Sequence, residues 1–174
     1  EIVEPADPQP IPADWRELRF DRVSFQYTPE QLTLDGVDLT IRRGETVALV
    51  GPNGCGKSTL LSLPPRLYDP SEGAVLLGGI DLREARLRDL RRRIGVVSQS
   101  AELLAGSVAE NIAFGKPGAS QADIERAAGA AHAHAFITER LAQGYDTLVG
   151  PGGGRLSGGQ RQRVAIGRSI VRDP

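Results

Sequence analysis

Gly51-Pro52-Asn53-Gly54-Cys55-Gly56-Lys57-Ser58-Thr59 follows directly on the apolar run Thr46-Val47-Ala48-Leu49-Val50. The nine residues have the form G-x-x-x-x-G-K-[ST], a phosphate-binding loop. The run before them predicts a short buried strand, and a helix is predicted to start near Lys57. Glycines at 51, 54 and 56 let a backbone curl round a phosphate without Cβ clashes. Lys57 is expected to reach the β- and γ-phosphates of a nucleotide, and the Ser58 hydroxyl to ligate Mg²⁺. A chance glycine turn is the competing explanation, and the intact motif between a strand and a helix argues against it.

Arginine dominates the 21 basic residues, of which only Lys57 and Lys116 are lysine. A lysine kept inside the loop of so arginine-rich a chain suggests that the position demands a compact ammonium. Cys55 lies beside it, and a helix N-terminus lowers thiol pKa, yet a small tolerated side chain explains it more simply.

The 174 residues suffice for one domain with one real core. The 21 glycines and 12 prolines predict a loop-rich but folded chain. A net charge of −1 offers no argument for a nucleic-acid partner. The single cysteine excludes an internal disulfide. No apolar stretch approaches the roughly 18 residues of a spanning helix. The chain contains no methionine, so Glu1 is expected to continue something longer.

Outward from the loop, residues 1–14 are acidic and proline-rich and read as an extended linker. Alternation over Glu17–Phe25 and Gln31–Ile41 predicts half-buried antiparallel strands. Gly73–Leu77 and Ile94–Ser98 read as further short strands, giving a mixed sheet. Helices are predicted over Ser107–Phe114, Ser120–Ala131, Ala133–Ala142 and Gly158–Arg172, with a glycine-rich loop at Gly150–Gly154. His132 and His134 read as helix-surface residues. Arg86, Arg88, Arg91, Arg92 and Arg93, balanced by Asp81, Glu84 and Asp89, read as a solvated helix face.

A second motif, Leu156-Ser157-Gly158-Gly159-Gln160, opens the last helix with free N–H groups suited to an anion. Paired with the glycine loop, it resembles the signature of the ATP-binding cassette (ABC) family, and the chain from about Leu18 to Pro174 looks like an exporter-type nucleotide-binding domain. The resemblance implies an α/β P-loop NTPase fold: a RecA-like core with an antiparallel β subdomain and a helical subdomain at about 100–160. It divides the chain into a linker, 1–16, from a preceding membrane domain and a partial ATP-binding domain, 17–174. It further implies ATP and Mg²⁺ as cofactors, with Tyr27 stacking on adenine. Gln99 would position water and Mg²⁺, and Lys57 would act on the transferred phosphoryl group. Leu156, Ser157, Gly158, Gly159 and Gln160 would meet ATP held by a second nucleotide-binding domain. Two such domains would sandwich nucleotide head to tail at the cytoplasmic face of a membrane, powering transport through an exporter's transmembrane domain. Gly106–Gly115 is similar to the exporter segment after Gln99.

Several residues depart from that pattern. Pro64 and Pro65 lie where the helix after the loop should continue, and an interior proline costs about 3 kcal/mol, so the helix should end near Ser62. Gly150–Gly154 replaces a segment that usually carries charge, and Gly167 interrupts the last helix. Asp81 has no acidic neighbour and does not match the family's Mg²⁺-binding aspartate. The chain stops at Pro174, before the acidic pair expected to hold Mg²⁺ and polarise water. Taken alone it is expected to bind Mg·ATP weakly, without turnover, and to leave apolar surface exposed. Two other functions compete: a degenerate half-site that binds ATP without hydrolysis, and a soluble ABC ATPase unrelated to transport.

Overall fold

The computed structural model describes residues 2–174; Glu1, the first residue of the expected linker, lies outside the described residues. Backbone contacts divide the chain into two compact units, one up to Ile94 and the other Gly95–Pro174.

In the first unit, β1 (Glu17–Thr28) and β2 (Gln31–Arg42) form the antiparallel hairpin that their alternation predicts. β3 (Glu72–Leu77) pairs with the other side of β1, and the two-residue β4 (Ile80–Asp81) folds back over Gly78-Gly79. The order is β2-β1-β3-β4, with every pairing antiparallel. Phe20, Val23, Phe25, Leu34, Val75 and Leu77 turn one face of this sheet into a core shared with Leu60, Leu63 and Leu90. Each such side chain contributes about 1.5–3 kcal/mol when fully buried, and a one-residue slip would turn them all outward. Burial therefore fixes the register.

α1 (Lys57–Ser62) follows the glycine loop and stops one residue before Pro64-Pro65, as the prolines predict. α2 (Leu87–Arg92) lies within the arginine-rich stretch. That stretch is only partly a solvated face. Arg91 donates to the carbonyls of Pro65 and Arg66 at 3.0 and 2.8 Å, and Arg93 to the Ile11 carbonyl at 3.4 Å.

The proline-rich N-terminal segment is extended, and it is fastened. Gln9 forms a parallel bridge with Ala85, and Ile11 is buried in the core. Glu4 Oε1 accepts from the Leu87 N–H at 2.8 Å, supplying α2 with the cap that Arg86 lacks. The Val3 carbonyl accepts from Arg66 Nη2 at 3.2 Å.

Two predicted strands do not form. Thr46–Val50 and Ile94–Ser98 have no ladder partner among the described residues. Val50 is 93% exposed and Val96 60%. The expected mixed sheet is therefore purely antiparallel here: an apolar sequence favours burial, but a strand exists only where a neighbour takes its backbone hydrogen bonds.

The second unit is helical: α3 (Val108–Ala113), α4 (Gln121–Ala130), α5 (His134–Arg140) and α6 (Gly158–Ile170). Short 3₁₀ turns cover Gly144–Asp146 and Pro151–Gly153. Three helices start on reciprocal capping boxes: Ser107 with Glu110, Ser120 with Asp123, and Ser157 with Gln160. Val108, Ile112, Ala128, Ile137, Val149 and Val164 form the core. Asn111, 1% exposed, is fully engaged: its amide donates to the Leu104 and Ser107 carbonyls, and its Oδ1 accepts from Leu104 N–H and Arg168.

The histidines differ in setting. His132 is not on a helix but in the bend between α4 and α5, at φ 53°. His134 opens α5, and its Nδ1 lies 2.8 Å from the Tyr145 hydroxyl. Burial, with the Glu125 charge second, pushes the Tyr145 phenol up to about 12. The pair thus ties α5 to the Gly144–Asp146 turn.

Candidate functional site

The glycine loop is shaped by close contacts that only glycine permits. Gly56 sits at φ 89°, where a Cβ would lie 2.7 Å from Leu34 Cδ2 and 2.9 Å from the Thr33 carbonyl. The loop is thereby pressed against β2 and turned into α1. No side chain caps α1 at Gly56, so the N–H groups of its first turn face outward without intrahelical acceptors.

Lys57 folds back over the loop. Its Nζ donates to the carbonyls of Gly51 and Pro52 at 2.8 and 2.7 Å and lies 3.7 Å from Cys55 Sγ. The ammonium thus sits at the centre of the curl, and Ser58 beside it is exposed. Pro52, Asn53, Gly54 and Cys55 are also exposed, whereas Thr59 is buried. The loop thus holds an ammonium against its own carbonyls, a charge that a phosphate would attract. The exposed Ser58 hydroxyl beside this ammonium is an oxygen donor that would suit Mg²⁺. No cluster of three or more His, Cys, Asp or Glu side chains offers a competing metal site among the described residues.

Cys55 contributes its backbone to this curl, while its thiol is exposed. Cys55→Ser is expected to leave Mg·ATP affinity within about twofold by titration calorimetry, because serine keeps size and backbone. A loss of binding would give the thiol a direct role.

Tyr27 is brought to the loop. Its hydroxyl lies 3.1 Å from Thr59 Oγ1, and its ring is 52% exposed. Two further aromatic rings stand against it. Phe25 lies at a centroid distance of 4.9 Å and an interplanar angle of 87°, and Tyr68 at 5.4 Å and 89°. Tyr68 is absent from the sequence-based candidates. With only 3 tyrosines and 4 phenylalanines in the chain, aromatic scarcity was the available signal.

The remaining candidates lie in the second unit. Gln99 follows the unpaired 94–98 stretch in an exposed bend. Leu156 is buried, and Arg161 donates to its carbonyl at 2.7 Å. Ser157 Oγ accepts from Gln160 N–H, and Gln160 Oε1 from Ser157 N–H, so these two side chains form the cap of α6. Gly158 and Gly159 begin the helix without side chains, and a Cβ at Gly159 would meet nothing within 4 Å. Their first-turn N–H groups are open to an anion.

A phosphate loop running from β2 to α1, with a capped glycine pair opening a second helix, defines a P-loop nucleotide-binding domain. Residues 34–174 match the family model described as ABC transporter, and the chain belongs to that family. It is 52% identical over 157 residues to the ATP-dependent lipid A-core flippase of Chromohalobacter salexigens, covering 90% of this chain and 27% of that protein. It is 49% identical over 160 residues to ABC transporter B family member 3 of Dictyostelium discoideum, covering 91% of this chain and 11% of that protein. A solved bacterial Atm1-family ABC exporter with ATP bound superposes with a TM-score of 0.94 at 40% identity, over 100% of this chain and 30% of that one. The chain thus spans less than a third of the length of each of these proteins.

Proposed function

We propose that this chain is the nucleotide-binding part of an ABC exporter, and that it binds Mg·ATP to drive transport across a membrane. The observation that carries this reading is the Lys57 ammonium held at the centre of the Gly51–Thr59 curl, in a chain whose relatives are named as flippases and exporters. The loop from Gly51 to Thr59 would grip the phosphates, Ser58 would ligate Mg²⁺, a role that Gln99 would share, and Tyr27 would stack on the adenine. Bound Mg²⁺ supplies charge neutralisation for phosphoryl transfer to water. Lys57 places its charge on the β- and γ-phosphates, and Gln99 orients the attacking water.

Leu156–Gln160 meets the ATP of a second nucleotide-binding domain. Ser157 and Gln160 cap α6 and leave Gly158 and Gly159 to present their N–H groups. The working unit is a head-to-tail dimer at the cytoplasmic face of a membrane, coupled to transmembrane domains. No helix among the described residues is long and apolar enough to cross a membrane itself. The chain alone is expected to bind Mg·ATP without turnover; Asp81, the acid ending the β3–β4 hairpin, pairs with Arg83 at 2.6 Å. The degenerate half-site is the second reading, and turnover separates the two.

Gly159→Asp tests the dimer in the full protein. A carboxylate in the first turn of α6 favours the helix and has room, yet it repels a phosphate. Mg·ATP affinity at the glycine loop should persist, while ATP-dependent dimerisation by sedimentation and hydrolysis should both collapse. Hydrolysis at the unmodified rate would sink the reading.

A further inference from the structure

Tyr27 is fixed by more than its bond to Thr59, and the second support comes from a segment that the nucleotide reading does not use. Tyr68 stands perpendicular to it at 5.4 Å and also packs on Phe25 at 5.4 Å, with an interplanar angle of 55°. Phe25 is buried, whereas Tyr27 and Tyr68 are 52% and 43% exposed. Edge-to-face contacts of this kind have a preferred geometry, so each ring limits the tilt of the next.

The segment carrying Tyr68 is clamped on both sides. Arg66, 2% exposed and at φ 49°, grips Asp69 with two bonds of 2.8 Å, Nε to Oδ1 and Nη2 to Oδ2. It also donates to the carbonyls of Arg83 and Val3 at 3.3 and 3.2 Å. Arg91 holds the Pro65 and Arg66 carbonyls. On the far side, Ser71 N–H donates to the Ser24 carbonyl at 2.9 Å, and Ser71 Oγ accepts from Gln26 N–H at 3.3 Å. Tyr68 is therefore held between a buried guanidinium and the strand that bears Tyr27. That is a costly arrangement for a half-exposed ring, since a buried arginine must have its donors met.

We infer that Tyr68 is a positioning residue for the nucleobase: buttressed by the Arg66–Asp69 pair, it sets the plane of the Tyr27 ring and so tunes affinity for the purine end of the nucleotide without touching the phosphates. This rests on Tyr27 stacking on adenine, as proposed above. The division of labour is physical. Lys57 and the glycine loop read the triphosphate; the Tyr27–Tyr68 pair reads the base by presenting a pre-oriented π face, which saves the entropy of ordering that ring on binding.

The test compares two probes, Mg·ATP and Mg·tripolyphosphate, in the full protein. Affinities are measured for the parent and for Tyr27→Leu, Tyr68→Leu, Tyr68→Phe and the double variant Tyr27→Leu/Tyr68→Leu. The reading is the ratio of the two affinities, which cancels damage to the loop. Tyr68→Leu should lower ATP affinity by about two- to tenfold, the range set by one edge-to-face contact. Tripolyphosphate affinity should stay unchanged, and Tyr68→Phe should keep the parent ratio. The double variant should lose no more than Tyr27→Leu alone, since Tyr68 acts through Tyr27.

If Tyr27→Leu leaves the ratio unaltered, the stacking reading fails. If Tyr27→Leu lowers the ratio and Tyr68→Leu does not, the positioning inference alone is overturned. Equal losses for both probes, or additive losses in the double variant, overturn it as well. Tyr68→Gln, similar in length and more soluble, gives the same ratio measurement should the leucine variant fail to fold.

Discussion

Lys57→Ala is expected to lose Mg·ATP binding by about 30-fold to a few thousand-fold, read by titration calorimetry. The magnitude follows from removing one partner of a close, desolvated charge pair, which costs about 2–5 kcal/mol, at about 1.4 kcal/mol per tenfold. Two losses add here. The ammonium that would face the β- and γ-phosphates disappears, and so do its bonds to the Gly51 and Pro52 carbonyls, which hold the loop curled. Lys57→Arg should not restore binding, because a planar fork does not fit where a compact charge sits between two carbonyls. Binding within threefold of the parent would mean that the loop does not read phosphate. Hydrolysis that survives Lys57→Ala would identify a contaminant.

A large stability effect is expected at Gly115, just past the end of α3. A Cβ there would lie 1.9 Å from the Arg168 carbonyl oxygen and 2.9 Å from Val171 Cγ1. The first obstacle is backbone in α6 and cannot rotate away. The approach is this close because Arg168 draws the two helices together, donating from Nε to the Asn111 carbonyl at 2.9 Å and from Nη2 to Asn111 Oδ1 at 2.7 Å. Gly115→Ala must part the helices and stretch those bonds. The expected cost is about 3 kcal/mol or more, which lowers the melting temperature of a small unit by about 12 °C or more. Gly129→Ala in α4 is the contrast: nothing lies within 4 Å of its Cβ, so the change should be neutral or stabilising by about 0.5–1 kcal/mol. Equal melting temperatures for the two variants would refute the close-approach argument.

Local signals were legible in the sequence, and tertiary ones were not. Serines 107, 120 and 157, each followed three residues later by Glu110, Asp123 or Gln160, mark helix starts that the structure places on those boxes. Pro64 and Pro65 announce the end of α1 because proline forbids its continuation. The alternation of β1 and β2 gave both strand and register face.

Thr46–Val50 and Ile94–Ser98 misled, because an apolar run states a preference for burial without naming its neighbour. The arginine-rich stretch reads as a solvated helix face and α2 forms there, but the sequence does not show that Arg91 and, just past the helix, Arg93 reach back to carbonyls at 65, 66 and 11. At the site, the glycine loop was written in consecutive residues. Tyr68 was not, since its contact with Tyr27 joins distant parts of the chain through the turn after α1.

The N-terminal segment has a mechanical consequence. Its attachments are arranged in series: the Val3 carbonyl on Arg66, Glu4 on the start of α2, Gln9 on Ala85, and finally Ile11 sunk in the core. Tension applied at its front end meets them one at a time, like a strip being peeled. The outermost bond is the one to the guanidinium that steadies the Tyr68 segment, so a light tug is felt there first, while Ile11 remains as the anchor that a much heavier load must extract.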